Sequence, residues 1–272
     1  MQTLKITRNA NIPLRLRKKL GMHIKPKSGQ TFAIDMFGQT YHGETGSHMD
    51  NKIWVYGLHE ASTVRLMRSL LLKQKENNQR TVYLDVGTNA GMHLLACADL
   101  CDQAFGFEPW EKVRNKAHKN IKENQMDHIT LYDFGLSDTD SILPFKEPDN
   151  NNLGVGMFVA DQKESTTTLE VRNGDALLIE HDIHPTLIKM DIEGHEKKAL
   201  GGLKKTLLNH KPDVVFEYSD GSRQDLSKPG VLEELFGSDY KFYGIKRSRE
   251  KPSLETFNPA KKYENVLATV NL

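Results

Sequence analysis

Acidic residues close a series of apolar segments in this sequence, and they have the chemistry to build a site. The first, Asp85, lies in the run VYLDVGTNAG (82–91), where an apolar segment turns abruptly into spaced glycines. The others close later apolar runs: Glu108, Asp133, Asp191 and Glu217. Carboxylates can attract cations, accept hydrogen bonds from hydroxyl groups or exchange protons, so the next question is what brings these residues together.

The elements around these acids predict an α/β fold. From Thr81 onwards, short apolar runs alternate with segments whose apolar residues recur at helical spacing. Each parallel step needs a crossover, so this alternation predicts a mostly parallel sheet with helices on both faces. Two late runs, YKFYGI (240–245) and NVLATV (265–270), are expected to close the sheet. Because ligands bind at the carboxyl ends of strands in such sheets, the acids are expected to share one site.

The flanking and inserted segments differ from this pattern. Residues 1–57 are expected to form a small N-terminal β appendage, because TFAIDMFGQTYHGE (31–44) reads as a hairpin. Residues 58–272 are expected to form one domain with an insertion at about 137–185, containing short strands near 155–159 and 167–171. A basic cluster before the hairpin is interpreted as a solvated surface: Arg15, Arg17, Lys18, Lys19, Lys25 and Lys27.

The bulk composition argues against several classes of protein. A formal net charge of +1 provides no overall field that would draw the chain to nucleic acid or to acidic membranes. No apolar run approaches the length of a membrane span, and the first residues contain no secretory apolar region. Cys97 and Cys101 lie four apart on an expected helix and suit free, buried thiols. These features favour a cytoplasmic location.

The turn after Asp85 discriminates between nucleotide cofactors. A dinucleotide site follows G-x-G-x-x-G, whose backbone approaches a pyrophosphate at a helix N-terminus. Here an acid stands where that anion would approach, and a carboxylate attracts a sulfonium or ammonium group instead. Glu108 follows about 20 residues later, where an acid accepts hydrogen bonds from ribose hydroxyls. Taken singly, Asp85 also fits a helix-capping acid and Glu108 an exposed charge; together they favour S-adenosylmethionine over NAD or ATP.

The runs VYLDVGTNAG, GFEPW, GLSD and IKMDIEGHEKKALGG resemble the FkbM-type class I S-adenosylmethionine-dependent methyltransferases. The resemblance covers roughly 60–217, and its most specific part is the block that contains Asp191. It implies a Rossmann-like class I methyltransferase fold with a mostly parallel seven-stranded sheet. It also implies O-methylation of a hydroxyl group on a small molecule or a sugar or glycan. Thr88, Ala90 and His195 depart from the residues common in the family, and they leave the acids and glycines intact.

The cofactor-binding candidates are Glu60, Asp85, Gly87, Asn89, Gly91, Glu108, Asp133 and Asp191. The two glycines either allow close approach to the methionine moiety or simply form the turn. Asn89 is expected to bond the cofactor carboxylate or its own loop, and Asp133 the adenine amino group. Glu60, which resembles a recurring glutamate of the family, either faces the cofactor or favours the helix dipole as a first-turn acid.

The catalytic candidates are Asp191, Glu193 and His195. Asp191 is the main one, since it can contact the cofactor amine, orient the acceptor hydroxyl or take its proton. His195 could act as a base near neutral pH, or it could be structural in the first turn of a helix. Glu217, with Asp191 and Glu193, offers the oxygen ligands that Mg²⁺ prefers, but a metal is possible rather than favoured.

Three other functions remain open to the sequence. An RNA 2′-O-methyltransferase would use the basic N-terminus for docking, but near-zero net charge makes a nucleic-acid partner unlikely. A non-catalytic nucleoside-binding scaffold would not require these acids and glycines. An NAD-dependent enzyme is disfavoured by the acid in the first turn. The expected partner is therefore a small-molecule or carbohydrate acceptor.

Overall fold

A computed structural model describes residues 27–148, 156–246 and 252–272. The basic cluster lies outside these ranges except for Lys27, which is exposed. Within the described ranges, no helix combines the length and the apolar character needed to cross a membrane. Cys97 and Cys101 are free and buried, which confirms that prediction. The expected cytoplasmic location stays a prediction.

The described chain contains fourteen strands and nine α-helices. The strands are β1 (Thr31–Met36), β2 (Gln39–Glu44), β3 (Val82–Val86), β4 (Gln103–Phe107), β5 (Ile129–Tyr132), β6 (Gly135–Ser137), β7 (Ser141–Lys146), β8 (Met157–Phe158), β9 (Thr167–Asn173), β10 (Leu187–Met190), β11 (Asp213–Glu217), β12 (Lys241–Lys246), β13 (Ser253–Thr256) and β14 (Asn265–Thr269). The helices are α1 (His48–Tyr56), α2 (Ala61–Glu76), α3 (Met92–Ala98), α4 (Glu111–Glu123), α5 (Gly174–Glu180), α6 (Glu196–Gly202), α7 (Lys204–His210), α8 (Asp220–Leu226) and α9 (Val231–Phe236).

The main sheet has the order β13-β12-β14-β11-β10-β3-β4-β5. Its five strands from β11 to β5 are parallel to one another. Beyond β11, the strands β14, β12 and β13 each pair antiparallel with the strand before them in this order. The predicted α/β fold with a mostly parallel sheet is therefore confirmed, and both late runs form closing strands. The sheet has eight strands instead of seven. The additional strand is β13, a four-residue edge strand that pairs only with β12 and has no apolar alternation.

The strand order reverses between β3 and β10. From β3 the chain builds outward to β4 and β5, then returns to place β10 and β11 on the other side. The register pairs Asp85 with Lys189 and Val86 with Met190. In an open parallel sheet this reversal leaves a crevice beyond the carboxyl ends of the two central strands.

The predicted hairpin forms from β1 and β2, and it packs on the main core. Phe32 and Tyr41 belong to the same apolar cluster as Leu94 and Leu95 of α3. Asn120 of α4 joins the two parts: its Oδ1 accepts from the His42 backbone, and its Nδ2 donates to the Ala90 carbonyl oxygen at 3.0 Å. The hairpin therefore supports the glycine loop after β3. The boundary proposed near residue 57 stays a prediction.

Four strands between residues 135 and 173 form a second sheet in the order β6-β9-β7-β8. β8 and β9 confirm the two short strands expected there, whereas β7 was not predicted, since Pro144 interrupts its pattern. Phe145 of β7 packs with Trp110 and Val113 of α4. This contact brings the second sheet over the carboxyl end of β4.

Candidate active site

The glycine turn after β3 lies against the segment that follows β10. At Gly87, where φ is +86°, a Cβ atom would lie 2.0 Å from the carbonyl oxygen of Asp191. Only glycine permits that approach, because any side chain would collide with backbone. The Gly87 and Thr88 amides both donate to the Phe107 carbonyl oxygen, at 3.0 and 3.1 Å. The turn therefore joins the ends of three strands, β3, β4 and β10.

Asn89 and Gly91 complete this turn with left-handed backbone, at φ of +51° and +84°. The Asn89 side-chain oxygen accepts from the Ala90 amide at 2.8 Å, so its oxygen stabilises its own loop. Gly91 precedes the first residue of α3. The sequence left open whether Asn89 bonds the cofactor carboxylate or its own loop, and this bond matches the second alternative.

Glu108 is buried rather than exposed. Its Oε2 accepts from the Asn89 amide at 2.8 Å and its Oε1 from the Trp110 amide at 3.0 Å. Burial raises the pKa of this carboxyl to about 7, against the lowering effect of the two amide donors. Each carboxylate oxygen has two lone pairs, so Glu108 retains the capacity to accept hydroxyl groups from a ligand.

Asp85 lies beneath the glycine turn and lines neither of the cavities described below. Its Oδ1 accepts from the Tyr83 hydroxyl at 3.0 Å, and it does not cap a helix. Its Oδ2 is buried without a hydrogen-bond partner among the described residues. Burial raises the pKa of Asp85 to about 6. This acid contributes charge from below the turn.

Lys189 is a fully buried cation in the middle of β10. Its Nζ lies 3.2 Å from Asp191 Oδ2 and 4.0 Å from Glu60 Oε2. Burial alone would lower the pKa of Lys189, but the carboxylates of Asp191, Glu60, Asp85 and Glu217 outweigh it and hold the pKa above its usual value. Lys189 is not among the site residues that the sequence predicts, yet the structure makes it the centre of an acidic cluster.

Glu60 lies just before α2 and makes no side-chain bond to the helix backbone. Its Oε1 accepts from Asn265 Nδ2 at 2.9 Å, and its Oε2 lies 3.3 Å from His93 Nε2, in ion-pair range. Burial favours the neutral acid, yet Lys189 and His93 hold the pKa of Glu60 below its ordinary value. Its carboxylate therefore points into the Lys189 cluster instead of stabilising a helix end.

Asp191, Glu193 and Glu217 bring one carboxylate oxygen each to within 4.8 Å of one another. Burial and the negative charge of Asp191 raise the pKa of Glu193 to about 7 and raise that of Glu217 further. Glu217 Oε2 is buried without a hydrogen-bond partner among the described residues. Such a cluster can bind a cationic group or hold a shared proton.

Glu196 is a positioning residue that the sequence analysis did not assign. It is fully buried, and its two carboxylate oxygens accept from the Ile192 and Gly194 amides, each at 3.0 Å. Those bonds hold the segment that carries Asp191 and Glu193. The signal was present in the second glutamate of the block IEGHE, five residues after Asp191.

Four predicted site residues line neither cavity: Asp85 and Gly91, which belong to the glycine turn and the strand before it, and Asp133 and His195. Asp133 is exposed, because its neighbours Tyr132 and Phe134 pack their rings together at 5.0 Å and leave it pointing away. His195 faces the second sheet: its Nε2 lies 3.0 Å from the Ser137 hydroxyl, and burial lowers its pKa to about 4. The geometry therefore matches the structural interpretation of His195 and not a base in the cavity.

Two neighbouring cavities open at the strand ends and share Gly87, Asn89, Asp191 and Glu193. The Glu108 cavity, of about 70 Å³, is lined also by Glu108, Pro109, Trp110, Val113, Phe145, Gly156, Phe158 and Ile192. The Glu217 cavity, of about 300 Å³, is lined also by His48, Met49, His59, Glu60, Thr88, Met92, His93, Glu217, Ser219, Tyr263 and Glu264. One continuous surface therefore runs past the glycine turn, from an apolar end to an acidic end.

A larger groove of about 460 Å³ lies elsewhere, between the segment 226–233 and strands β12 and β13. Its lining is mainly apolar, with Leu226, Leu232, Phe242 and Phe257, and it includes none of the strand-end acids. Volume alone does not make it the site, since the convergent polar groups lie at the switch point.

The fold is that of the class I methyltransferases. A SAM-dependent methyltransferase from Agrobacterium tumefaciens shares the fold, with a TM-score of 0.51 over 90% of this chain and 71% of that one, at 8% identity. A methyltransferase FkbM from Methylobacillus flagellatus aligns over 70% of this chain and 43% of that one, with a TM-score of 0.49 and 20% identity.

The sequence identifies the family. Residues 85–242 match the model of the methyltransferase FkbM domain, which is more than half of the chain. The chain therefore belongs to the FkbM methyltransferase family, as its motifs indicated. The hexuronic acid methyltransferase AglP of Haloferax volcanii is 27% identical over 160 residues. That match covers 58% of this chain and 64% of AglP, so the chain spans less than two thirds of this relative.

Proposed function

We propose that this methyltransferase transfers a methyl group from S-adenosylmethionine to a hydroxyl group of a sugar or another small molecule. The observation that carries the proposal is the paired cavity at the switch point. Its two ends present a buried ribose-type acceptor, Glu108, and a cation-attracting cluster around Asp191. Both ends flank the glycine turn, and the two cavities share Gly87, Asn89, Asp191 and Glu193.

The residues fit this cofactor in charge as well as shape. Glu217 Oε2 lies in the lining and is buried without a hydrogen-bond partner among the described residues, which is costly unless a donor or a cation reaches it. S-adenosylmethionine carries both an ammonium and a sulfonium group, so the acidic end of the cavity compensates its charge. An NAD pyrophosphate would instead add negative charge beside five carboxylates.

The cofactor-binding residues act at different parts of the ligand in this proposal. Glu108 accepts the ribose hydroxyls, and the Gly87–Gly91 turn lets the backbone approach the methionine moiety. Asp191 binds the ammonium group or aligns the acceptor. Asp85 and Glu60 add negative charge around Lys189, and Asp85 does not contact the cofactor directly. Asp133 and His195 have no part in the site.

The bound cofactor supplies an activated methyl group on sulfur. Transfer forms a carbon–oxygen bond while the carbon–sulfur bond breaks, and the electron pair of that bond passes to sulfur. The acceptor hydroxyl loses its proton, and Asp191 or Glu193 is placed to take it. Alignment does most of the work in such a displacement, so the rigid support from Glu196 matters as much as basicity.

A carbohydrate acceptor is supported by the name of the Haloferax relative, which describes a sugar methyltransferase. No step of the proposed transfer uses a metal ion. The carboxylates of Asp191, Glu193 and Glu217 are compensated by Lys189 and by the cationic cofactor, although their oxygens are near enough to bind Mg²⁺. Assays with and without a chelator separate these cases.

The test is a product assay by mass spectrometry. Purified protein is incubated with S-adenosylmethionine and a panel of glycosides, polyols and short RNA, in the presence and absence of EDTA. We expect a glycoside to gain the mass of one methyl group, with activity lost in Asp191→Asn and kept in the exposed control Asp133→Asn. Methylation of RNA alone, or cofactor binding without methylation of any acceptor, would overturn the proposal.

A further inference from the structure

One wall of the Glu217 cavity comes from outside the segment that matches the family. His48 and Met49 form the first turn of α1, and His59 lies in the loop before α2. All three precede residue 85, where the family match begins. The proposed cofactor would take the wall from Gly87 to Glu217, which leaves this N-terminal wall and the side formed by Ser219, Tyr263 and Glu264 to face the acceptor.

The chemistry of this wall suits a hydroxyl group. The rings of His48 and His59 meet edge to face, with centroids 6.3 Å apart. His59 Nδ1 is buried and has no hydrogen-bond partner among the described residues. A buried polar atom left unpaired is rare and signals a missing partner such as a ligand or water.

His59 is held in its neutral form. Burial lowers the pKa of His59 to about 4, and the positive charges of Lys52 and His93 lower it as well. The negative charges of Glu60 and Asp191 raise it, but by less. A neutral imidazole offers one donor and one acceptor nitrogen, which is the complement of a hydroxyl group. It offers no charge to a carboxylate.

The remaining lining also disfavours an anion. None of the described residues that line the cavity is lysine or arginine. Lys189 lies behind the lining and is shared between Asp191 and Glu60. An acceptor carboxylate would therefore meet neutral imidazoles on one side and carboxylates on the other, and like charges at this range repel.

We propose that His48, Met49 and His59 form an acceptor wall, in which His59 hydrogen-bonds the acceptor hydroxyl and which selects an uncharged sugar over the corresponding uronate. This inference rests on the proposed function and deepens it. It sets the chain apart from the Haloferax relative, whose name specifies a hexuronic acid.

Nuclear magnetic resonance of the histidine rings tests the wall directly. Protein with ¹⁵N-labelled histidine is saturated with S-adenosylhomocysteine and titrated with methyl glucoside, galactoside and mannoside and with their matching uronates. We expect the His59 and His48 signals to shift with at least one neutral glycoside and to respond less to its uronate. If no neutral glycoside moves the His59 signal, or if a uronate binds at least as tightly, the inference is wrong.

Variants locate the contact. His59→Phe keeps a ring of similar shape without nitrogen and should weaken glycoside binding by about tenfold, the loss expected for one hydrogen bond. His59→Gln should recover part of that binding, and the exposed control His118→Phe should match the parent protein. Equal glycoside affinities for His59→Phe and the parent would overturn the role of His59.

The affinity for S-adenosylhomocysteine is measured separately in each variant. If the parent protein does not bind S-adenosylhomocysteine, the proposed function fails. If it binds S-adenosylhomocysteine but the glycosides leave His59 unmoved, only the acceptor wall fails.

Discussion

Carboxylates end both β4 and the β10–β11 pair, but the protein treats them in opposite ways. Glu108, just after β4, has each oxygen bonded to a backbone amide, from Asn89 and Trp110. Asp191, just after β10, and Glu217, the last residue of β11, rely on the buried cation Lys189, and one Glu217 oxygen has no hydrogen-bond partner among the described residues. The hydrogen bonds of the Glu108 carboxylate are therefore made without a ligand, whereas at the other end one lysine faces several carboxylates.

The difference indicates a division of labour along one cavity. Backbone donors hold Glu108 in a fixed position, which suits recognition of hydroxyl groups that do not change during a reaction. A poorly compensated acidic cluster favours a ligand that brings positive charge, and methyl transfer removes the sulfonium charge. The acidic end should therefore respond most to substitution and to pH.

The largest effect is expected for Lys189→Met, which removes the cation at the acidic end. Removing one partner of a buried ion pair costs about 3–5 kcal/mol, because the other charges stay buried and uncompensated. We expect the free energy of unfolding in urea to fall by that amount. Lys197→Met, at an exposed position of α6, is the control. A loss no greater than that of the control would show that Lys189 does not hold the cluster together.

Asp191→Asn removes a charge at the acidic end but nearly preserves shape. Because proton transfer by a positioned group contributes about 10²–10⁴-fold to rate, kcat should fall by a factor in that range. Asp191→Asn also removes one partner of the buried Lys189, but Glu60, Asp85 and Glu217 remain to compensate it, so stability should fall by less than in Lys189→Met. Single-turnover rates on the acceptor found by the product assay measure the effect. A kcat close to that of the parent would show that Asp191 does not take part in the methyl transfer.

Glu108→Gln tests the other end. The amide keeps one acceptor oxygen but loses the charge, and hydrogen bonds to charged groups contribute about 1.5–3 kcal/mol. We therefore expect affinity for S-adenosylhomocysteine to fall by about 10–100-fold, with kcat at saturation changed less than in Asp191→Asn. Asp133→Asn, which alters an exposed acid after the next strand, should bind like the parent protein. Equal losses in both variants would contradict the assignment of Glu108.

The smallest effect is a pH dependence confined to the acidic end. The pKa of Glu193 is about 7 and that of Glu217 is raised further, so both carboxyls lose protons as pH rises from 6 towards 8 and above. The sulfonium of S-adenosylmethionine should be attracted more strongly as they ionise. We expect its affinity relative to S-adenosylhomocysteine to rise by less than about tenfold over this range. A ratio that falls or stays constant would argue against contact with the sulfonium.

The same raised pKa values bear on stability without a ligand. Glu193, Glu108 and Glu196 each have a folded pKa of about 7, above their ordinary value of 4.5, because of burial. The folded state therefore binds more protons than the unfolded state between these two values, and stability falls as pH rises through that window. Thermal unfolding of the ligand-free protein at pH 5 and pH 8 should show the lower midpoint at pH 8.

Local pattern predicted much of this arrangement. The glycine turn, the strand-end acids and their common edge follow from alternation and from the geometry of parallel strands. Asp133 lies away from the cavities because Tyr132 and Phe134 pack together on either side of it, which turns the intervening acid to solvent. His195 lies away from them because α6 packs closely on β6, where a Cβ on Gly202 would lie 1.8 Å from the Ser137 carbonyl oxygen.

Other features depend on contacts that no local pattern contains. Lys189 reads as an interruption in an apolar strand until Glu60, more than one hundred residues away, is seen beside it. β7 includes a proline, and β13 has no alternation of apolar and polar residues, so the sequence of neither segment predicts a strand. The residues of the proposed acceptor wall were not among the sequence predictions, because α1 and the loop after it lie outside the motifs that identify the family.

The most direct test of the central claim is a crystal structure of the protein with S-adenosylhomocysteine. We expect the ribose hydroxyls to bond Glu108, the methionine portion to pass the Gly87–Gly91 turn, and the ammonium group to contact Asp191. Sulfur should point towards His59. Ligand density in the groove beside Phe242 and Phe257, or a ribose placed away from Glu108, would contradict the account.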